Sequence, residues 1–499
     1  MALSQDFINQ IHALLGNEAE ALLSAISNTE PSVSVRRNPL KTPATALSHL
    51  SPVPWCTEGA YLDSRVPFTF DTDFQSGRYY VQDASSMFIS HALRQLVDAP
   101  VRYLDLCAAP GGKTTAALAA LPQGSLVVAN EIVPTRAQVL RENIIKWGYP
   151  DAVVTNNRPA DFLRLGAMFD VVAADVPCSG EGMMRKDPEA VRQWTPALVN
   201  ECARRDIEII DSAWQCLRPG GLLIYSTCTY NRLENESIVE HICSTYGAES
   251  ISLVTPAHWG IAPGIRCKHH CYRFMQHHIQ GEGLFMSILR KPLDASQPAG
   301  AALTPNRIKP SKKAATPSVP AQAATWINDA HEYAFASNSQ GTVTAMRKSH
   351  QPLIASLAAS LRVLHSGITI GTVKGKNLVP DHALALSTQL NAQAFAIAET
   401  SYTQAIAYMR GEAITLPDAP RGIVLLTHQG APIGFANNLG NRAAVVDGRV
   451  FACPHIVGCR RQCGVIEVVT APRLISTAYV GVGPMQYAPT GTQHPTMPR

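Results

Sequence analysis

Val101-Arg-Tyr-Leu-Asp-Leu106 runs directly into Cys107-Ala-Ala-Pro-Gly-Gly-Lys-Thr114 and on into the Ala/Leu-rich Thr115–Leu121. A short β-rich run, a small-residue loop and a helix-forming stretch, in that order, make the first half of a βαβ unit. Small residues and the pair Gly111-Gly112 let a ligand approach the backbone, and the following helix N-terminus offers unpaired N–H groups. Two nucleotide-binding readings compete for such a loop. A phosphate-cradling loop needs glycine where Cys107 stands, so that reading fails. A ribose-binding arrangement needs an acidic residue closing the next strand, about 20 residues on. Glu131 ends SLVVANE (125–131) in that place. The pattern suits a nucleoside without phosphates, such as S-adenosylmethionine.

The same alternation continues from Tyr79 to Lys291, through FDVVAAD (169–175), GLLIYST (221–227) and LFMSILR (284–290). It predicts an α/β domain with a mostly parallel sheet over 79–291. Residues 1–78 mix helices with short extended pieces and read as an α+β accessory domain. Residues 292–324, rich in Pro, Ala, Ser and Lys, read as a linker. Residues 325–445 form a smaller β-rich region with ITIGTV (368–373) and GIVLLTH (422–428). Residues 446–499 show no clean periodicity.

At 499 residues the chain is too long for one core, and 46% hydrophobic with 16% charged residues fits globular domains rather than disorder. The opening MALSQDFINQIHALLG reads as an amphipathic helix, not a secretory signal, and no apolar stretch is long enough to cross a bilayer. With 12 scattered cysteines this predicts a reducing, cytoplasmic setting. A net charge of +4 permits a polyanionic partner without demonstrating one. The basic clusters Arg36-Arg37 with Lys41, Arg185-Lys186, Arg204-Arg205, and Lys309 with Lys312-Lys313 each read, taken singly, as solvated faces. Cys453, His455, Cys459 and Cys463 lack standard zinc spacing, and Cys267, His269, His270 and Cys271 precede the last core strand. No metal is expected at either.

Asp175-Val-Pro-Cys178-Ser-Gly follows FDVVAAD, and Cys228 stands in Ser226-Thr-Cys-Thr-Tyr230 after GLLIYS. Ligands of open parallel sheets bind beyond the carboxyl ends of the strands, so Asp175, Cys178 and Cys228 should face one crevice with the loop. Either cysteine alone would read as a small buried hydrophobe. Together they suit one chemistry. Cytosine C5 is a poor nucleophile until a thiolate adds at C6. A carboxyl at the N3 edge, suited to Asp175, assists that addition. A second thiol nearby assists loss of the C5 proton and release.

Arg37-Asn-Pro-Leu-Lys41, Tyr80-Val-Gln-Asp-Ala-Ser-Ser-Met87, CAAPGGKT (107–114), DVPCSGEGMMRKDPE (175–189) and STCTY (226–230) occur in one order. With them the chain resembles the NOL1/NOP2/Sun group of RNA cytosine-5 methyltransferases. The resemblance implies a Rossmann-like class I methyltransferase core and S-adenosyl-L-methionine as cofactor. Cys107, Ala108, Ala109, Pro110, Gly111, Gly112, Lys113, Glu131 and Asp175 would line the cofactor site. Cys228 would be the nucleophile, Cys178 would aid product release, and Lys113 would position Asp175 or the target base. Arg185-Lys186-Asp187-Pro188 would belong to the RNA face. The family's adenine-side aspartate is replaced here by Asn157, with Asp161 nearby; an amide oxygen can still accept from the adenine amino group. The segments 371–387, 408–414 and 430–442 resemble a PUA-like RNA-binding module, making Lys374, Lys376 and Arg410 candidate phosphate contacts. The implied substrate is a decoding-site cytosine of 16S rRNA, presented within the assembled 30S subunit and acted on by a monomer, with a cytosine of another structured RNA as the alternative. A rival reading is a catalytically silent RNA-binding assembly factor; intact Cys228, Cys178, Asp175 and Lys113 argue against it.

Overall fold

The computed structural model describes residues 3–294 and 318–446. The tail from residue 447, most of the expected linker, and Lys309, Lys312, Lys313, Cys453, His455, Cys459 and Cys463 lie outside the described residues. The first helix, Gln5–Leu15, begins where the Ser4 hydroxyl accepts from the Phe7 N–H, and it buries Phe7 and Ile11. A second helix, Ala19–Asn28, folds back against it. Strands β1 (Val33–Arg37), β2 (Pro52–Val53), β3 (Cys56–Leu62) and β4 (Tyr79–Val81) then form one sheet in the order β2-β3-β1-β4. Tyr79, Tyr80 and Val81 pair with Arg37, Arg36 and Val35. The accessory sheet therefore extends past residue 78, where the domain boundary was expected.

The core strands are β5 (Arg102–Asp105), β6 (Leu126–Asn130), β7 (Ala152–Thr155), β8 (Phe169–Asp175), β9 (Leu217–Thr227), β10 (Glu249–Ser250), β11 (Tyr272–Phe274) and β12 (Leu284–Arg290). The C-terminal region contributes β13 (Tyr333–Ser337), β14 (Thr342–Arg347), β15 (Val363–Ser366), β16 (Ile368–Lys374), β17 (Asn377–Pro380), β18 (Ala396–Glu399), β19 (Gly422–His428), β20 (Ala431–Asn438) and β21 (Ala443–Val445). The central sheet runs β10-β12-β9-β8-β5-β6-β7-β15, with β11 beside β12. Strands β5 to β9 pair in parallel, while β10, β11, β12 and β15 pair antiparallel. The expected core of 79–291 is thus completed from outside: β15 adds its strand to the free edge of β7.

Period-two alternation sets the two faces. Tyr103, Val127 and Val171 pack on one side with helices Phe88–Leu96, Gly112–Ala120 and Pro134–Trp147. Leu104, Val128 and Val172 pack on the other with helices Pro196–Cys216, Glu236–Tyr246 and Gln351–Ser360. Leu104 and Val172 are fully buried, and such a side chain contributes about 1.5–3 kcal/mol by burial. The helix after β5 lies on one face and the long helix after β8 on the other. The order reverses between these adjacent strands, and that opens a crevice at their carboxyl ends.

Beyond β15, β13-β14-β16-β17 form one sheet and β18-β19-β20-β21 another, with β18 and β19 parallel. Lys374 ends β16 and Lys376 stands on the turn into β17, both exposed. Among the described residues no helix is long and apolar enough to cross a membrane.

Candidate active site

The loop from Cys107 to Lys113 is held from three directions. The Ala108 N–H donates to the Asn130 carbonyl at 2.8 Å. Arg136 donates to the Ala109 carbonyl at 2.9 Å and the Asn143 amide to the Pro110 carbonyl at 2.8 Å. Gly111 takes φ +112°, a conformation side chains disfavour, and the helix starts at the next residue. Arg36 braces that helix from the accessory sheet. It is fully buried, donates to Thr115 Oγ1 at 2.6 Å and Gln82 Oε1 at 2.8 Å, and lies over the Trp147 ring. Lys41 likewise donates to the Ser76 and Lys146 carbonyls, and burial lowers its pKa to about 7. The reading of Arg36 and Lys41 as a solvated basic face is corrected: their cations satisfy carbonyls and side chains inside the structure.

Glu131 is buried at the end of β6, accepts from the Val133 N–H at 2.8 Å and faces Arg136 at 3.5 Å. Beneath the loop, Asp105 accepts from Thr114 Oγ1 at 2.7 Å while its Oδ1 has no partner. Burial pushes its pKa up to about 7. Asp105 ends β5 in YLDL, yet only the buried geometry marks it out.

The chemistry-bearing side chains meet at the carboxyl ends of β5, β8 and β9. Lys113 Nζ lies 2.9 Å from Asp175 Oδ2, and Ser226 Oγ donates to Asp175 Oδ1 at 2.7 Å. Burial opposes the charge on Lys113, but Asp175 overrides it and holds the ammonium above its ordinary pKa. The sulfurs of Cys178 and Cys228 are 3.2 Å apart, and both residues are half-buried. The Cys228 N–H also donates to Cys178 Sγ. The hydrogen bond to Cys228, then burial, pushes the Cys178 thiol well up. Burial also raises Cys107, keeping a third nearby thiol protonated.

Two buried carboxylates lace the cysteine loops together. Glu181 accepts from the backbone N–H groups of Tyr230 and Asn231, from Trp194, and from Gln10 of the first helix. Glu234 accepts from the Ser179 N–H at 2.8 Å and from Asn231 at 2.6 Å. The Gly182 N–H donates to the Cys228 carbonyl at 2.9 Å. A Cβ on Gly182 would sit 2.7 Å from Gly283 backbone, so glycine is required where these chains cross. The sequence displays Glu181 within DVPCSGEG and Glu234 within NRLENE; nothing local marks either as a clamp.

Two expectations change. The Asn157 amide exchanges hydrogen bonds with the backbone of Arg362, at 2.9 and 3.2 Å, so the group expected at an adenine instead holds the segment leading into β15. Asp161 caps the Arg158 N–H and faces Arg164. Arg185, expected on the RNA face, is buried against Glu282 and donates to the Gly281 carbonyl at 2.7 Å.

Family models match along the chain: an N-terminal domain of 16S rRNA methyltransferase RsmF over residues 3–84, 16S rRNA methyltransferase RsmB/F over 96–290, and a methyltransferase RsmF PUA domain over 395–443. A ribosomal RNA small subunit methyltransferase F of Klebsiella pneumoniae is 32% identical over 420 residues, 81% of this chain and 86% of that protein. The chain belongs to the ribosomal RNA small subunit methyltransferase F family. An Escherichia coli O157:H7 methyltransferase F is also 32% identical, over 84% of this chain and 91% of its own length. The structure of NSun6 from Pyrococcus horikoshii with SFG shares the fold, with TM-score 0.50 and 19% identity over 58% of this chain and 98% of that one. The matched PUA segment covers β18, β19, β20 and Arg410 and ends on the first residue of β21; Lys374 and Lys376 lie before it.

Proposed function

We propose that this chain transfers the methyl group of S-adenosylmethionine to C5 of a cytosine in 16S rRNA, through a temporary bond from Cys228 to C6. The observation that carries the reading is the contact of the two thiols beside the Lys113–Asp175 pair. The curated relatives are named for small-subunit ribosomal RNA, and the related NSun6 was solved with SFG, an analogue of the cofactor.

The donor set fits that cofactor. A helix N-terminus behind Gly111, a buried carboxylate at Glu131 for ribose hydroxyls, and a second carboxylate at Asp175 suit a cationic nucleoside lacking phosphates. Bound there, it supplies an electrophilic methyl group. The chain's own residues do the rest. The target base must leave its stack to reach the sulfurs. The Cys228 thiolate adds to C6 as the Lys113–Asp175 pair delivers a proton to N3, making C5 nucleophilic. After methyl transfer to C5, Cys178, its own proton passed to solvent, takes the C5 proton. The C5–H electrons form the C5=C6 bond as the C6–S bond breaks and returns its electrons to Cys228. The N3 proton goes back to the Lys113–Asp175 pair.

The state of Cys178 follows that sequence. Before attack its sulfur is in hydrogen-bond contact with the Cys228 sulfur, and this contact is the largest cause of its raised pKa. Once Cys228 is a thioether, that cause vanishes, the Cys178 pKa falls, and more of Cys178 is thiolate, the form that can take a proton. Radiolabelled methyl transfer to ribosomal RNA, followed by bisulfite sequencing, tests the proposal. A new 5-methylcytosine in 16S rRNA is expected; methylation at another atom or no transfer to either naked rRNA or 30S particles overturns it.

A further inference from the structure

Glu18 sits in the turn joining the two N-terminal helices, while His277 and His278 are neighbours in the loop between β11 and β12. The ligating atoms of all three lie within 4.8 Å of one another. His277 Nε2 and His278 Nε2 each stand 3.3 Å from the same oxygen, Glu18 Oε2. A charge-assisted hydrogen bond closes to about 2.7–2.9 Å, so both separations are long for ion pairs. They match the edge of a tetrahedron whose metal–ligand bonds are about 2.0–2.1 Å, an edge of roughly 3.3–3.4 Å. The imidazole rings lie 4.0 Å apart at their centroids, and the His277 side chain is only 7% exposed. Two imidazole nitrogens and one carboxylate oxygen converging on one point form a ligand set.

We infer that Glu18, His277 and His278 bind one divalent transition metal ion of the zinc class, which pins the N-terminal helical hairpin to the loop between β11 and β12. Water completes the fourth position. The surroundings give the site a role. His277 and His278 line a groove of about 890 Å³ between the accessory sheet and the core, together with Lys186 and Arg65. Gln276, beside His277, donates to the Gly182 carbonyl at 3.0 Å and to Glu282 at 2.6 Å. Glu282 is in turn the buried partner of Arg185. Fixing His277 therefore fixes the loop that abuts the Cys178 turn, far from either cysteine in sequence. The ligands come from positions 259 residues apart, so no local motif announces them.

Cobalt(II) is the probe. The full chain, stripped by a chelator, should take up one ion with the visible bands of a four-coordinate N/O site and no sulfur-to-metal charge transfer, and zinc should displace it. His277→Ala and His278→Ala should each lose that equivalent or weaken it at least about 10-fold. Zinc should raise the melting temperature of the wild type only. Glu18 is mostly exposed, so Glu18→Gln tests the same ligand set should a histidine variant fail to fold. No uptake at micromolar cobalt, uptake unchanged in these variants, or a spectrum carrying thiolate charge transfer would overturn the inference.

Discussion

Asp175 of β8 stands directly opposite Ser226 of β9 in parallel register, and the two are joined by a 2.7 Å hydrogen bond. That pairing decides where the thiols go. Cys178 lies three residues beyond Asp175 and Cys228 two beyond Ser226, so both turns leave the sheet side by side and the sulfurs meet at 3.2 Å.

Removing each sulfur should give opposite phenotypes. Cys228→Ala is expected to abolish methyl transfer without any covalent species. Cys178→Ala is expected to form the bond to RNA and fail to release it, seen as an RNA–protein band that survives denaturing gels. Activity retained by Cys228→Ala, with Cys178→Ala inactive and adduct-free, would exchange the two roles.

Lys113→Met should leave Asp175 without its cation and the N3 edge without a proton source. A loss of about 10²–10⁴-fold in kcat is expected, the range for a positioned proton donor. Ser226→Ala, which removes only a neutral donor to Asp175, should cost far less. Single-turnover methyl transfer separates these effects from release. A change below about threefold in Lys113→Met would remove the pair from the chemistry.

Asp105 makes stability depend on pH in a stated direction. Its folded pKa, about 7, lies above the ordinary 3.8, so the native state holds a proton that the unfolded chain releases. Its contribution is complete below about pH 4 and lost as pH rises through about 7, a swing on the order of 4 kcal/mol. Asp105→Asn lacks that loss. Denaturant melts of both proteins at pH 5 and pH 8 should show the variant gaining on the wild type at the higher pH; parallel slopes would exclude an elevated Asp105.

Arg273 and Glu236 form a buried pair, 1% and 0% exposed at the side chains, and Arg273 also donates to the Tyr230 carbonyl at 2.7 Å. Arg273→Ala strands the Glu236 charge and should cost about 3–5 kcal/mol. Arg273→Met with Glu236→Leu should recover much of it in urea melts, because no unpaired charge remains. Equal losses in single and double variants would contradict this account.

What was legible in the sequence follows the range of the forces involved. FDVVAAD, LFMSILR and GIVLLTH coincide with β8, β12 and β19, because alternation and β-branched content act locally. β9 starts at Leu217 rather than residue 221, since Arg218-Pro-Gly-Gly reads as a turn and is in fact a register shift inside the strand. The crevice holding Asp175, Cys178 and Cys228 was legible from strand ends and parallel topology alone. Arg36, Lys41 and Arg185 misled because charge was counted without knowing what buries it. Asn157 misled for a related reason: its partner, Arg362, is 205 residues away. Glu181 and Glu234 needed three-dimensional crossings that no spacing encodes.

β15 changes how this enzyme can be cut. Without it, β7 would end the sheet with a row of bare amides and carbonyls, a template for pairing with other chains. Val363, His365 and Ser366 occupy that row, and Asn157 and Asn156 fasten Arg362 just ahead of them. A catalytic fragment stopped near residue 291 would therefore be sticky, and a well-behaved one has to extend through Ser366.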